Sequence, residues 1–170
     1  MSVPGGAGLA RRQIAVTPWR ALRSGSGDAS TVARDLKTLL LDDVERAGRA
    51  YAALENVVES QGHLFECAPA VVAVIAAAIS DGTVPAANLA PTLDLLGRVL
   101  AGHAAPSETA LGNTRVREEC HASAMQAYWP LVRLALLDDE FHAQDVARDI
   151  VLALDEAAAR AVLEEGGGPG

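Results

Sequence analysis

The sequence predicts an all-helical domain, and three observations carry that expectation. The apolar residues are mainly alanine, leucine and valine; they recur at spacings of three and four along most of the chain; and no stretch shows the apolar/polar alternation of a half-buried strand. Half of the 170 residues are apolar, which is enough for one hydrophobic core, while aromatics make up only 4%. Such a core must be built by close packing of aliphatic helices.

Taken in order, residues 1–16 are Gly-rich and aperiodic and are expected to form a flexible N-terminal tail. Residues 17–163 form the helical domain, and 164–170, ending in GGGPG, are expected to be a disordered tail. The first helix is expected over about 30–40, capped by Asp28 or Ser30, with Val32, Leu36, Leu39 and Leu40 inward. The second, about 43–59, carries Val44, Ala47, Tyr51, Leu54 and Val58 as one buried stripe. The third, about 69–80, starts with Pro69, tolerated where its missing N–H has no partner to lose, and is apolar all round. It should therefore be the most buried, ending at Asp81-Gly82. A fourth, about 88–102, stops at Gly102. The fifth, about 114–137, must kink or split at Pro130, which cannot donate to the helical ladder. The sixth, about 142–164, turns Val146, Ile150, Leu154 and Ala157 to one side.

Six helices joined in short-linked pairs read as repeated helical hairpins, each burying its apolar face on the next. The stretch from Trp19 through Ala29, Leu39, Leu40, Asp42 and Ala52, then Gln61-Gly62-His63-Leu64-Phe65-Glu66 and Pro69, resembles a group of bacterial HEAT-repeat proteins. In that group a Trp precedes the first repeat, and a Gln-Gly turn with an aromatic residue precedes the proline of the next helix. The resemblance covers residues 19–156 and implies a right-handed stack of about three antiparallel helical hairpins, a HEAT-like α-α superhelix. It also implies a binding scaffold rather than an enzyme, with toxin neutralisation as one specific role. Two positions depart from the pattern: Ser60 stands where a His is expected, and Ala68 where a Thr would cap the third helix. The cap is then expected from elsewhere, with Glu66 the nearest candidate.

The charge is acidic, with 14 basic and 22 acidic residues and a net −8. Six basic and two acidic residues lie up to Lys37, against eight and twenty beyond it, so the body is more acidic than the whole. Nucleic-acid binding, which needs a cationic surface, is disfavoured. The apolar run between Glu66 and Asp81 falls short of the roughly 20 residues that cross a bilayer. No targeting pattern stands at the N-terminus, so a cytoplasmic location is the default expectation. Cys67 and Cys120 lie in apolar helical context and are expected to be reduced and buried.

No motif carries catalysis, a cofactor or a metal. His63 and Cys67 lie four apart and Cys120-His121 is a second pair, but these spacings match no closed zinc set. Cys120 and His121 point about 100° apart on a helix, which opposes a thiol nucleophile. The paired carboxylates Asp42-Asp43, Glu118-Glu119 and Asp138-Asp139 stand at helix starts, where they meet the helix dipole. Trp19, Tyr128 and Trp129 are expected as core anchors. One surface stands out on the sixth helix. Asp145, Asp149 and Glu156 project within about 40° of one another, away from the core stripe, with Leu152 on the same outward side. An apolar anchor ringed by acids fits a protein partner with a basic surface. Two alternatives stay open, a nucleic-acid-directed HEAT-like protein of the DNA-repair kind and a small structural oligomer.

Overall fold

A computed structural model of the chain describes residues 8–137 and 143–165. Ten helices and five two-residue strands lie among the described residues. Helix α1 (Leu9–Val16) leads into a single 3-10 turn at Trp19–Ala21 and an antiparallel hairpin, β1 (Arg23–Ser24) with β2 (Gly27–Asp28). Then come α2 (Val32–Leu41), α3 (Val44–Glu55), β3 (Glu59–Ser60), β4 (His63–Leu64), α4 (Ala68–Asp81), α5 (Ala86–Ala101) and β5 (His103–Ala104). The chain continues through α6 (Pro106–Ala110), α7 (Val116–Met125), α8 (Tyr128–Leu136), α9 (Ala143–Leu154) and α10 (Glu156–Glu165).

The helices pack in two rows. In one, α4 lies between α2 and α7 and also meets α1 and α8; in the other, α5 lies between α3 and α9. The rows are joined where α2 packs on α3, α4 on α5 and α8 on α9. A small sheet stitches the middle, with β4 antiparallel to β3 and parallel to β5, pairing His63 with His103 and Leu64 with Ala104. The β3–β4 connection is the Gln61-Gly62 pair, at φ 53° and 84°, the positive values that a tight two-residue hairpin turn requires. Gly102 lets β5 approach: a Cβ there would stand 2.7 Å from Leu64 Cδ2, a side chain that is itself fully buried.

Several helix ends follow the expected chemistry. Asp43 caps α3 by accepting the Arg46 amide at 3.0 Å, and Glu118 and Glu119 stand in the first turn of α7. Gly82 ends α4 in the left-handed conformation, at φ 62°. The fifth expected helix is two, with the break at Gln126 and Ala127, so that Pro130 falls in the first turn of α8 where it removes no ladder bond. Asp138, Asp139 and His142, with the residues of both chain ends, 1–7 and 166–170, lie outside the described residues.

Other expectations are corrected. Residues 9–16 are not tail but α1, whose Ala10 is buried and which packs on α4. The second helix stops at Glu55, and Glu59 becomes a buried strand residue. Two-residue strands are too short to show a period of two, so they left no trace in the pattern. Helix α4 begins one residue early: Cys67 is its N-cap, Ala68 is the buried first helical residue, and no side chain caps it. Glu66 does not cap it either, because its Oε2 accepts the Arg23 amide at 3.0 Å and lies 3.1 Å from Arg23 Nη1. Trp19 and Tyr128 are buried as expected, but Trp129 is 66% exposed, since neighbours on a helix cannot both face the core.

A clamp joins β1 to α6 across 85 positions. Arg23 Nε and Nη2 donate to the two oxygens of Glu108 at 3.1 and 2.7 Å, and Asn113 Nδ2 donates at 2.9 Å. The Glu108 side chain is only 2% exposed. The Arg23 hydrogen bonds outweigh burial and, helped by Asn113, hold its carboxyl below the ordinary glutamate value of 4.5. A carboxylate with a depressed value stabilises the fold above pH 4.5, and that contribution is lost as the pH falls through the depressed value.

Two stability measurements check this description. Ile75 on α4 is fully buried, and Ile75→Ala is expected to cost about 2 to 5 kcal/mol in a denaturant titration. Glu108→Ala strands its donors and is expected to cost about 1 to 3 kcal/mol at neutral pH. The deficit against the parent protein should shrink as the pH falls below 4.5, because the parent is then losing the same contribution.

Candidate functional site

A cleft of about 570 Å³ lies between α5, α7 and α9. Each helix supplies one stripe. Asp94, Gly97, Arg98 and Ala101 come from α5, Arg117 and His121 from α7, and Val146, Asp149, Ile150 and Ala153 from α9. These are spacings of three, four and seven, one face of each helix. The floor is apolar, with Ile150 against Gly97 at a distance that an added Cβ would meet as ordinary contact, 3.7 Å from Cγ1. The rim is charged. His121 Nε2 lies 3.0 Å from the Leu100 carbonyl, which can only accept, so that nitrogen carries a proton and fixes the ring against α5.

The charges on the α5 wall are not all available to a ligand. Arg98 pairs with Glu59, Nη2 to Oε2 at 3.1 Å, and with Glu55. Burial lowers the arginine's pKa, but the Tyr51 hydrogen bond and the two glutamates together outweigh it, so the guanidinium stays charged. Glu59 is itself nearly fully buried and also accepts the Gly62 amide, tying the β3–β4 turn to this wall. Asp94 accepts the Tyr51 hydroxyl. Asp149 and Arg117 take part in no ion pair among the described residues. With Arg98 engaged, the exposed carboxylates Asp94 and Asp149 face a single unpaired guanidinium and one imidazole.

The four residues expected to form a docking stripe fare unequally. Asp145 and Asp149 are exposed on α9, and Asp149 stands at the cleft. Glu156 is exposed but belongs to a different helix: the chain breaks at Asp155, whose Oδ1 accepts the Ala158 amide, and Glu156 opens α10 paired to Arg160 at 2.7 Å. Leu152 does not stand free, being half-buried and packed against the core. The angular projection assumed one continuous helix and missed the break, after which α10 packs back on α9. For the same reason Ala157, expected inward, is exposed. Asp94, Arg117 and His121 were missed as cleft-lining neighbours of Asp149, although the i, i+4 pair Arg117 and His121 was visible in the sequence.

The thiols and histidines do not converge. Both cysteines are free and fully buried. Burial pushes each thiol up to about 12, with nearby carboxylates, Glu119 for Cys120 and Glu108 and Glu66 for Cys67, adding smaller upward pushes, so neither supplies a thiolate near neutrality. His121 faces the cleft while Cys120 faces the core. His63 stacks edge-on against His103, ring centres 5.0 Å apart. Among the described residues no group of three or more His, Cys, Asp or Glu could hold a metal ion, and no helix is long and apolar enough to cross a membrane.

Tyr51 offers a probe of the cleft wall. Burial, then the hydrogen bond to Asp94, pushes its hydroxyl up to about 12. Its contribution to stability is complete below pH 10 and is lost as the pH rises toward 12. The other tyrosine, Tyr128, is buried with an unpartnered hydroxyl, so Tyr128→Phe removes the competing signal without breaking a bond. In that background an ultraviolet titration is expected to show no ionisation at pH 10, and adding Asp94→Asn should bring it down toward 10.

No family model, no curated protein and no solved structure matches the chain.

Proposed function

We propose that the chain is a non-catalytic, HEAT-like scaffold, three stacked helical hairpins in a right-handed superhelix, that binds a protein partner with a basic surface. The two helix rows, α2, α4 and α7 beside α3, α5 and α9, support the solenoid reading, because in each row the middle helix packs against both of its neighbours. The observation that carries the function is the cleft. It is a concave, apolar-floored site with Asp94 and Asp149 on its rim and Asp145 one turn further along α9. In a chain of net charge −8 these carboxylates favour a partner's lysines or arginines, speeding encounter and fixing orientation. Arg117 meets an acidic group beside them and sets the polarity of the bound segment. Neutralisation of a toxin is the specific form that the sequence resemblance suggests, and the buried, protonated thiols count against a cysteine enzyme.

The test uses the full chain as bait in its native cell extract, beside a variant with Asp145→Lys and Asp149→Lys. A protein retained by the parent at low salt should bind the variant about tenfold or more weakly, a change of about 1.4 kcal/mol. Its retention by the parent should fall as salt shortens the screening length below about 8 Å. Equal retention by a variant of unchanged helicity, with no salt dependence, would remove the cleft from the binding surface.

A further inference from the structure

We propose that a second surface, formed by α1, α4 and α8, takes an acidic amphipathic helix from a partner protein. The expected all-round burial of α4 is incomplete. Ala73 and Ala77 are half-covered and Ser80 is exposed, so one stripe of small residues faces outward. One groove, of about 430 Å³ and walled by α1, runs along it through Ala73, Ala77 and Ser80; a second, of about 410 Å³ and walled by α8, meets its end at Ser80. A floor of small residues between two helices admits the close approach of a third, the helix-in-groove mode.

The walls are apolar where a soluble surface would ordinarily be polar. On α1, Leu9 is 53% and Val16 74% exposed, with Arg12 between them on the same face. On α8, Trp129 is 66% exposed and stands at the second groove with Arg133, one turn on at i+4. Each wall therefore sets an arginine beside at least one exposed large apolar side chain. Neither arginine has an ion pair or a side-chain hydrogen bond among the described residues. Among the described residues lining the grooves the one carboxylate, Asp81, already accepts the first amide of α1 through its Oδ2. The surface thus offers two exposed guanidinium groups with no protein partner among the described residues, and a tryptophan, the residue types that dominate protein-binding hot spots.

Charge selects the occupant. Two free arginines ask for carboxylates and the apolar walls for leucine or aromatic side chains, which together describe a helix acidic on its edges and apolar on one face. The site uses other helices and the opposite charge from the cleft of α5, α7 and α9, so the two surfaces stand or fall separately.

Trp129 reports the binding directly, because the other tryptophan, Trp19, is buried and donates its indole N–H to the Ile14 carbonyl at 2.8 Å. The probe is an 18-residue peptide with leucines on one helical face and glutamates on the other. It should give a saturable blue shift of tryptophan emission that is absent in Trp129→Phe. Arg12→Glu with Arg133→Glu should weaken it at least tenfold, and a matched lysine peptide should bind this variant better than the parent. Asp145→Lys with Asp149→Lys should leave the shift unchanged. Vesicles of phosphatidylglycerol and phosphatidylcholine should produce none. No saturable shift with the glutamate peptide, equal response to the glutamate and lysine peptides, or a shift confined to vesicles would each overturn the proposal.

Discussion

Everything in this fold is arranged around a helix that has no polar face. Along α4, Val71, Val72, Val74, Ile75 and Ile79 are all buried over about 160° of the helix, and none of them can be left in water without losing about 1.5 to 3 kcal/mol. The surroundings follow from that constraint. Covering α4 takes α1, α2, α5, α7 and α8, which is more helices than a simple two-layer hairpin stack would bring to it. The N-terminal segment becomes a helix because α4 gives its apolar side something to cover, not because its own short sequence favours one. An eight-residue helix is marginal in isolation and draws its stability from tertiary packing.

The loops between helices depend on a second kind of interaction. Glu59 and Glu108 are both buried carboxylates, and each is held by an arginine far away in sequence, Arg98 and Arg23. Burying a carboxylate is unfavourable unless it is paired and hydrogen-bonded. Here each also accepts a further donor, Gly62 for Glu59 and Asn113 for Glu108, so each acid gathers a turn and a distant element at one point. The effect is to fix where the connections lie on the helix rows, and with them the walls of the cleft.

How much of this could be read from the chain depends on the range of the interaction. Short-range features were legible: Asp43 capping α3, the Gln61-Gly62 turn, Gly82 ending α4 and the interruption near Pro130 all follow from chemistry within a few residues. The buried acids were not, because Glu108 looks like any loop glutamate until Arg23, 85 positions away, is seen beside it. The site falls between. Its stripes on α5, α7 and α9 were visible as spacings of three and four, but which stripes meet is decided by packing. The break at Asp155 moved Glu156 off the expected stripe, and helix geometry alone placed Leu152 on a side where the folded chain packs it inward. Trp129 was misjudged for want of one fact, which of two adjacent aromatics faces the core.

The buried thiols have a consequence for how the fold can be watched. Cys67 sits at the start of α4 and Cys120 on α7, the helix packed against it, and neither side chain is reached by solvent. A thiol reagent can therefore attack only molecules in which this contact has opened. When reclosing is faster than the attack, the labelling rate measures the free energy of that opening, residue by residue. The chain carries its own clock for the core, with no introduced probe and no change to the surfaces where partners would bind.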